Sequence, residues 1–528
     1  MTFRWWGDRR RTLARLFFPV QENINGALPS QTSNTEGVRS SIAVERTDVE
    51  LMPNRQRVIA RPFISGAMLD PHDGLARRVL ALSDEQVTET LSAAYAKFVA
   101  RHVDLDAVLE EHFQFVARAI DDLPELSAER RQLIGAYYTQ EHAIEAAALT
   151  NPSIVLAPDQ SGLASGATRF VMSLRAIGEG HLSSIEFRTV QIDRHGTVTV
   201  DAPGTRAQTG THRMVMLDKE DFCEKLETMG ALNDTALDIV DELPTAFDLS
   251  DLEHALVTSE GPSAACRAMS PTTRVMHWLA KSNYELTFPP TSNLDERVIF
   301  PWQAVESRGL EDARFVRFVD DDDSDTYYAT YTAYDGFRVL PQLIQTADFQ
   351  TFQVGTLTGD GAANKGAALF PRKINGQYVA LSRYDAENSF IMFSDNVQEW
   401  PSAELIETPS APWQLARVGN CGSPLETDRG WLVITHGVGP FREYSLGAIL
   451  LDINNPRRVI GHLDKPLLMA PEMDRNGYVP NVVYSCGGVI HGNDLILPYG
   501  ISDANCRIAK IPLTPLLDHL THPIARLA

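Results

Sequence analysis

Glu306-Ser307-Arg308-Gly309-Leu310-Glu311-Asp312-Ala313-Arg314 opens the stretch that decides the fold, and Tyr327-Tyr328-Ala329-Thr330-Tyr331-Thr332-Ala333-Tyr334-Asp335-Gly336 closes it. Between them Phe315-Val316-Arg317-Phe318 reads as a strand. The acidic run Asp320 to Asp323, with Asp325, reads as a solvated hairpin tip without EF-hand spacing. A carboxylate pair, Glu311 and Asp312, therefore stands at a strand mouth, between Arg308 and Arg314. A tyrosine-rich second strand ends beside it. One carboxyl so placed can protonate a leaving oxygen, and ring faces stack on pyranose C–H groups. The same charges would equally make surface ion pairs at a turn.

Outward from this hairpin, short strands dominate from Arg297 to the end, apart from a helix at Pro512 to His519. Thr346-Ala347-Asp348-Phe349-Gln350-Thr351-Phe352 resembles Ser394-Asp395-Asn396-Val397-Gln398-Glu399-Trp400, and the two lie 48 positions apart. That is about the length of one propeller blade of four strands. A β-sandwich is the alternative, but the strands are too many for one. Upstream, Ile154-Val155, Phe170 to Leu174, Ile185 to Val190 and Val198 to Val200 read as a strand meander. A helical interruption from about Lys219 to Lys281 follows (Glu220 to Met229, Asp238 to Leu243, Thr273 to Lys281).

Leu75 to Leu149 has helical periodicity. Ser83 and Gln86 form a capping box, ahead of an apolar stripe at Leu91, Ala94, Tyr95, Phe98 and Val99. A second helix spans Leu105 to Ile120. A third, capped by Ser127, runs past Tyr138 towards Leu149 and carries His142 and Glu145 at i, i+3. That spacing occurs in carboxylate-bridged metal sites, but without a second such pair a structural or substrate-rim role is expected, and no metal. Residues 1–45 are expected to be a disordered or loosely ordered leader, 46–150 a helical N-terminal region, and 521–528 a tail.

The formal charge is −22, with 69 acidic and 47 basic residues. This argues against nucleic acid or an anionic membrane as a partner, while leaving room for a local basic pocket. No apolar run approaches a membrane span, and Met1 to Val20 lacks the pattern of a signal peptide. The cysteines number 5, without a CxxC pair, which fits reduced thiols and a cytoplasmic location.

Four basic or proton-carrying groups sit at strand ends flanked by turns: Arg175 before Gly178, Lys365 before Gly366, Arg383 after Ser382, and His436 before Gly437. Each alone is most simply a surface charge or a structural hydrogen bonder. Strand ends of a closed ring converge, however, and together the four could hold a phosphate.

Asn151-Pro152-Ser153, Leu174-Arg175, Gly309 to Arg314, Tyr331 to Gly336, Lys365-Gly366-Ala367-Ala368-Leu369-Phe370-Pro371, Thr435-His436-Gly437-Val438, Val479 to Val483 and Tyr499 to Asp503 resemble the ordered landmarks of glycoside hydrolase family 130. That family comprises β-mannoside phosphorylases and related β-mannosidases. The resemblance covers about 151–515 and implies an all-β five-bladed β-propeller catalytic domain over 151–520. The helical region before it and the helical insertion at about 205–280 are additions to that core. It implies Asp312 as catalytic acid, acting through a mannose hydroxyl. It implies phosphate binding by Arg175, Lys365, Arg383 and His436, and sugar contacts near Asn151, Tyr334, Asp335 and Asp503. Ala313 stands where the family usually has proline. Glu311, paired with Arg314, is expected to support the site. The implied reaction is inverting phosphorolysis by a hexosyltransferase-type phosphorylase, with inorganic phosphate as co-substrate and no cofactor. The alternatives are a phosphate-independent inverting β-mannosidase and a non-catalytic carbohydrate-binding propeller. The helical N-terminal region could serve as a lid or as a homo-oligomer contact.

Overall fold

The computed structural model describes residues 42–63, 74–118, 120, 123–260, 270–336 and 339–521. The expected leader up to 41 and the tail beyond 521 lie outside them.

The hairpin quoted above is built as Leu310–Val319 against Asp325–Tyr334, with Asp320 to Ser324 as its tip. It heads an antiparallel sheet that continues through Val339–Thr346, Thr351–Thr356, Tyr284–Thr287 and Thr211–Met214. Four further sheets have the same meander plan. The one preceding it in the chain holds Ala148–Leu156, Thr168–Ile177 and Ser183–Ile192, with Val198–Val200 and Val298–Ile299 both on its outer strand. After it come a sheet of Ala368–Leu369, Tyr378–Ser382, Ser389–Ser394 and Glu404–Glu407, and one of Arg417–Asn420, Gly430–Val438, Tyr444–Leu451 and Val459–His462. The last sheet holds Val483–Tyr484, Asp494–Ile501 and Asn505–Pro512. Its outermost strand is Glu45–Leu51, from the other end of the chain.

Apolar cores lie between successive sheets. Phe187 packs with Phe315 and Phe352, Tyr328 with Leu369 and Trp400, and Phe370 with Trp431. Leu432 and Leu446 pack with Leu495 and Tyr499, and Ile154 and Met172 with Ile496 and Ile508. The last sheet thus returns to the first. The repeat seen in the sequence marks equivalent turns. In one, Thr346 Oγ1 accepts the Asp348 and Phe349 N–H groups; in the other, Ser394 Oγ accepts that of Asn396. Each turn ends on a buried aromatic, Phe352 or Trp400.

The N-terminal helices are Gly74–Leu80, Asp84–Phe98, Leu105–Ala117 and Ala128–Tyr137, around a core that includes Leu91, Phe113 and Ile134. Ser83 and Gln86 make the capping box in both directions, and Ser127 caps the fourth helix. That helix stops at Tyr137, short of the expected Leu149. Thr139–Ala143 instead pairs with Val58–Pro62, and Ala148–Leu156 enters the first sheet. His142 and Glu145 are therefore not on one helical face. Glu145 belongs to a fully buried quartet with Arg57, Glu186 and Arg188, joined at 2.6–2.8 Å except for one 3.4 Å pair. The insertion holds Lys219–Thr228, Asp234–Asp241, Leu249–Glu260 and Pro271–Lys281 on their own core of Phe222, Phe247 and Met276. No helix among the described residues is long and apolar enough to cross a membrane.

Candidate active site

Arg175, Arg383, His436 and Asp503 lie at or just past the ends of second strands; Asn151 and Asp312 lie near the starts of first strands.

Asp312 is set by a break in regular pairing. The register between Leu310–Val319 and Asp325–Tyr334 shifts between Glu311 and Arg314, and Asp312 adopts φ 58°. Asn151 does the same on the facing strand, with φ 50° at a shift between Thr150 and Ser153. Non-glycine residues hold such angles only where the surroundings over-determine them. Here two bulges turn the two side chains to meet. Asn151 Nδ2 donates to Asp312 Oδ1 at 2.5 Å, and Thr150 Oγ1 donates to Asn151 Oδ1 at 3.0 Å. Arg314 braces the bulge from behind. Its guanidinium donates to the Cys421 carbonyl at 2.7 Å, to the Asp312 carbonyl at 2.9 Å and to Tyr484 Oη at 3.0 Å. It is buried and engaged on all sides, so it holds Asp312 rather than substrate.

The expected Glu311–Arg314 pair is absent. Glu311 takes Arg175 at 2.8 Å and Lys365 at 3.5 Å, and Arg175 also reaches Asp312 at 3.4 Å. Arg383 lies across the backbone of Gly366 and Gly419. A Cβ on either glycine would come within 2.7–3.0 Å of its Cδ, so both positions require glycine, and Gly366 also has φ +96°. The same contact at Gly419 touches the His436 ring. His436 is fully buried and stacks on Tyr444 at 6.0 Å. Asp503 accepts from Thr150 Oγ1 at 3.4 Å, at a turn where Ser502 and Asp503 both have positive φ. The candidate cations, the acid, Asn151 and Asp503 thus form one connected arc. Tyr334 donates to the Gly336 carbonyl at 3.0 Å and ends the strand paired with Leu310–Val319, with Asp335 next after it.

The surroundings of each group set its charge. Burial alone would keep Asp312 protonated. Arg175, Arg314 and Lys365, with the Asn151 hydrogen bond, outweigh it and hold the carboxyl down at about 2. These cations favour the ionised acid. His436 is not a cation: burial, with Arg383, Arg314 and Arg417 nearby, pushes its pKa well below the usual histidine range. It offers a neutral imidazole with one N–H. Asp503 moves the other way, raised by burial against the pull of Arg175. Several buried polar atoms at this face lack partners: Arg175 Nε, Arg383 Nε, both His436 ring nitrogens and Asn420 Oδ1. A buried donor without an acceptor is costly, and three of these groups are donors suited to one anion. Asn420 and Tyr484 were not read from the sequence as site residues, because their roles come from strands brought alongside. No group of three His, Cys, Asp or Glu among the described residues could hold a metal ion.

Comparison with known proteins gives the family. The profile of glycoside hydrolase family 130, described as β-1,4-mannooligosaccharide phosphorylase, matches residues 291–522. A 1,2-β-oligomannan phosphorylase of Thermoanaerobacter sp. (strain X514) is 36% identical over 229 residues, 42% of this chain and 74% of that protein. A β-1,2-mannobiose phosphorylase of Listeria innocua serovar 6a is 29% identical over 236 residues, 43% of this chain and 64% of its own length. The solved β-1,2-mannobiose phosphorylase of Listeria innocua, bound to β-1,2-mannobiose, spans 71% of this chain and 92% of its own at 20% identity, with a TM-score of 0.43. The chain belongs to glycoside hydrolase family 130. Asn151 and Arg175 precede the residues matched by the profile, and contact with Asp312 and Glu311 ties them to the site.

Proposed function

We propose that this chain is an inverting β-mannoside phosphorylase, with 151–520 as a five-bladed β-propeller catalytic domain. The sequence relatives named as β-mannoside phosphorylases support the activity, and the five meander sheets with a core between each successive pair support the propeller. Strand Glu45–Leu51 belongs to that domain, completing its last blade.

The observation that carries the reading is the arc of Arg175, Lys365, Arg383 and neutral His436 beside one ionised acid. Glu311, the second carboxylate, is engaged by Arg175 and Lys365. Hydrolysis with inversion needs a carboxylate free to activate water; phosphate needs none. The ionised state of Asp312 gives the mechanism an order. A phosphate dianion seated on the arc offsets the positive field that strips Asp312 of its proton. Its pKa then rises towards the value burial favours, so the acid is charged with a proton only when the nucleophile is in place. A phosphate oxygen attacks the anomeric carbon, the glycosidic bond breaks, and the proton from Asp312 passes to the leaving sugar oxygen. The products are α-mannose 1-phosphate and the shortened sugar.

The test is incubation with β-1,2-mannobiose and β-1,4-mannooligosaccharides, with and without phosphate. Sugar phosphate formed only with phosphate supports the proposal. Release of free mannose without phosphate shows a mannosidase, and binding without turnover shows a carbohydrate-binding propeller.

A further inference from the structure

Beside the Asp312 arc, a cavity of about 330 Å³ is lined by Arg61, His142, Glu179, His181, Ser307 and Arg308 among its walls. Resting on the phosphorylase reading, we propose that it is an accessory subsite for an oxyanion carried on the glycan, a uronate carboxylate or a sugar phosphate.

Three observations support this. First, Arg61 and Arg308 both line the cavity and neither has a carboxylate oxygen within 4.0 Å among the described residues, in a chain with 69 acidic against 47 basic residues. Two guanidiniums facing one cavity, against the single carboxylate of Glu179 in its lining, leave a site suited to an incoming anion. Second, His142 is only 4% exposed, and its Nε2 has no hydrogen-bond partner. Burial and the nearby Arg61 keep the ring neutral, so it can give a ligand one hydrogen bond without adding charge. Third, one aromatic ring positions both groups. Arg61 Cζ lies 4.8 Å from the Phe300 centroid, and His142 meets the same ring edge-on at 5.4 Å. Glu179, close enough to Arg61 to interact electrostatically, distinguishes a sugar from a bare anion. A carboxylate repels inorganic phosphate but accepts from sugar hydroxyls, so guanidiniums with one carboxylate suit a ligand bearing both an oxyanion and hydroxyl donors.

The placement joins this cavity to the reaction face. The turn 178–182 follows the strand that carries Arg175, and Arg308 lies just ahead of Asp312. The Ser183–Gly309 bridge and the Ser183 hydroxyl bonded to the Leu310 carbonyl clamp these two segments together. Arg61, His142, Glu179 and His181 all lie outside residues 291–522 matched by the family profile.

The test runs the reaction in reverse with α-mannose 1-phosphate as donor and mannose, mannuronate or mannose 6-phosphate as acceptor. We expect KM for at least one charged acceptor to be about tenfold below that for mannose. Arg61→Gln and Arg308→Gln should each remove that advantage and leave KM for mannose unchanged. Equal KM values in the unmodified enzyme, or an advantage that survives both substitutions, overturn the proposal. Calorimetry of the same proteins with mannuronate, mannose 6-phosphate and inorganic phosphate separates this result from failure of the phosphorylase reading. If no acceptor turns over, binding of mannuronate or mannose 6-phosphate that Arg61→Gln abolishes still supports the subsite, and its absence overturns it. Arg61-dependent binding of inorganic phosphate at equal strength shows a site for the free anion and overturns the glycan-borne version.

Discussion

Arg175→Gln separates the two tasks assigned to one guanidinium. Arg175 lies 3.4 Å from Asp312 and 2.8 Å from Glu311, with a side chain 20% exposed. At an effective dielectric constant near 20, a unit charge pair at that separation interacts by about 5 kcal/mol before desolvation is subtracted. Among the attractions that lower the Asp312 pKa, Arg175 is the largest. Its loss should raise the Asp312 pKa by about 1–2 units. It should also remove one charge-assisted contact to phosphate, about 1.5–3 kcal/mol, or about a tenfold to hundredfold rise in KM for phosphate. Initial rates of α-mannose 1-phosphate release, measured across phosphate concentration and pH, read both effects. Glutamine keeps the length and polarity of the stem, so circular dichroism should show the fold unchanged. A variant with KM for phosphate within twofold of the parent and an unmoved pH profile would refute both the phosphate arc and the charge coupling.

Three further outcomes follow from the same geometry. Asp312→Asn keeps an acceptor for Asn151 but carries no proton to give; kcat should fall by about 10²–10⁴ while the melting temperature stays close to the parent's. Arg188→Met leaves Glu145 and Glu186 buried with only Arg57 between them. It should cost about 3–5 kcal/mol in chemical denaturation. Glu407 is pushed up to about 7 by burial. A carboxyl raised in the folded state is harmless below its unfolded pKa and destabilising as pH rises through the folded value. Glu407→Gln should therefore stabilise at pH 8 by about 1–2 kcal/mol, after allowance for partial solvent access, and do nothing at pH 4. Thermal melts at the two pH values check this.

Local signals carried well from sequence to structure. Ser83 with Gln86, and Ser127, cap helices as their spacing indicated, because a capping box involves only neighbours. The Asp320 to Asp323 tip and the strands on either side were legible for the same reason. Arg175, Arg383 and His436 lie near strand ends as the turn residues after them indicated, whereas Lys365 lies in the loop before Ala368–Leu369. What failed was non-local. The helix expected to reach Leu149 ends at Tyr137 because Thr139–Ala143 finds a partner about eighty residues upstream in Val58–Pro62. The charge state of Asp312 depends on Arg175, Arg314 and Lys365, cations from separate segments that no strand mouth displays together. Glu311 takes Arg175 instead of Arg314 because the bulge at Asp312 turns Arg314 inward.

Strand Glu45–Leu51 also imposes an order of assembly. Its Glu50 meets Arg507, 457 positions away. On a ribosome this strand must wait, unpaired, for the last sheet to emerge. Until then both that sheet and the N-terminal strand present open edges, the form most prone to wrong pairing between chains. A chain stopped just short of Asn505–Pro512 would hold an almost complete set of sheets and still leave Glu45–Leu51 unanchored. Closure therefore acts as a check on the last sheet: the edge is covered only once Asn505–Pro512 has been made.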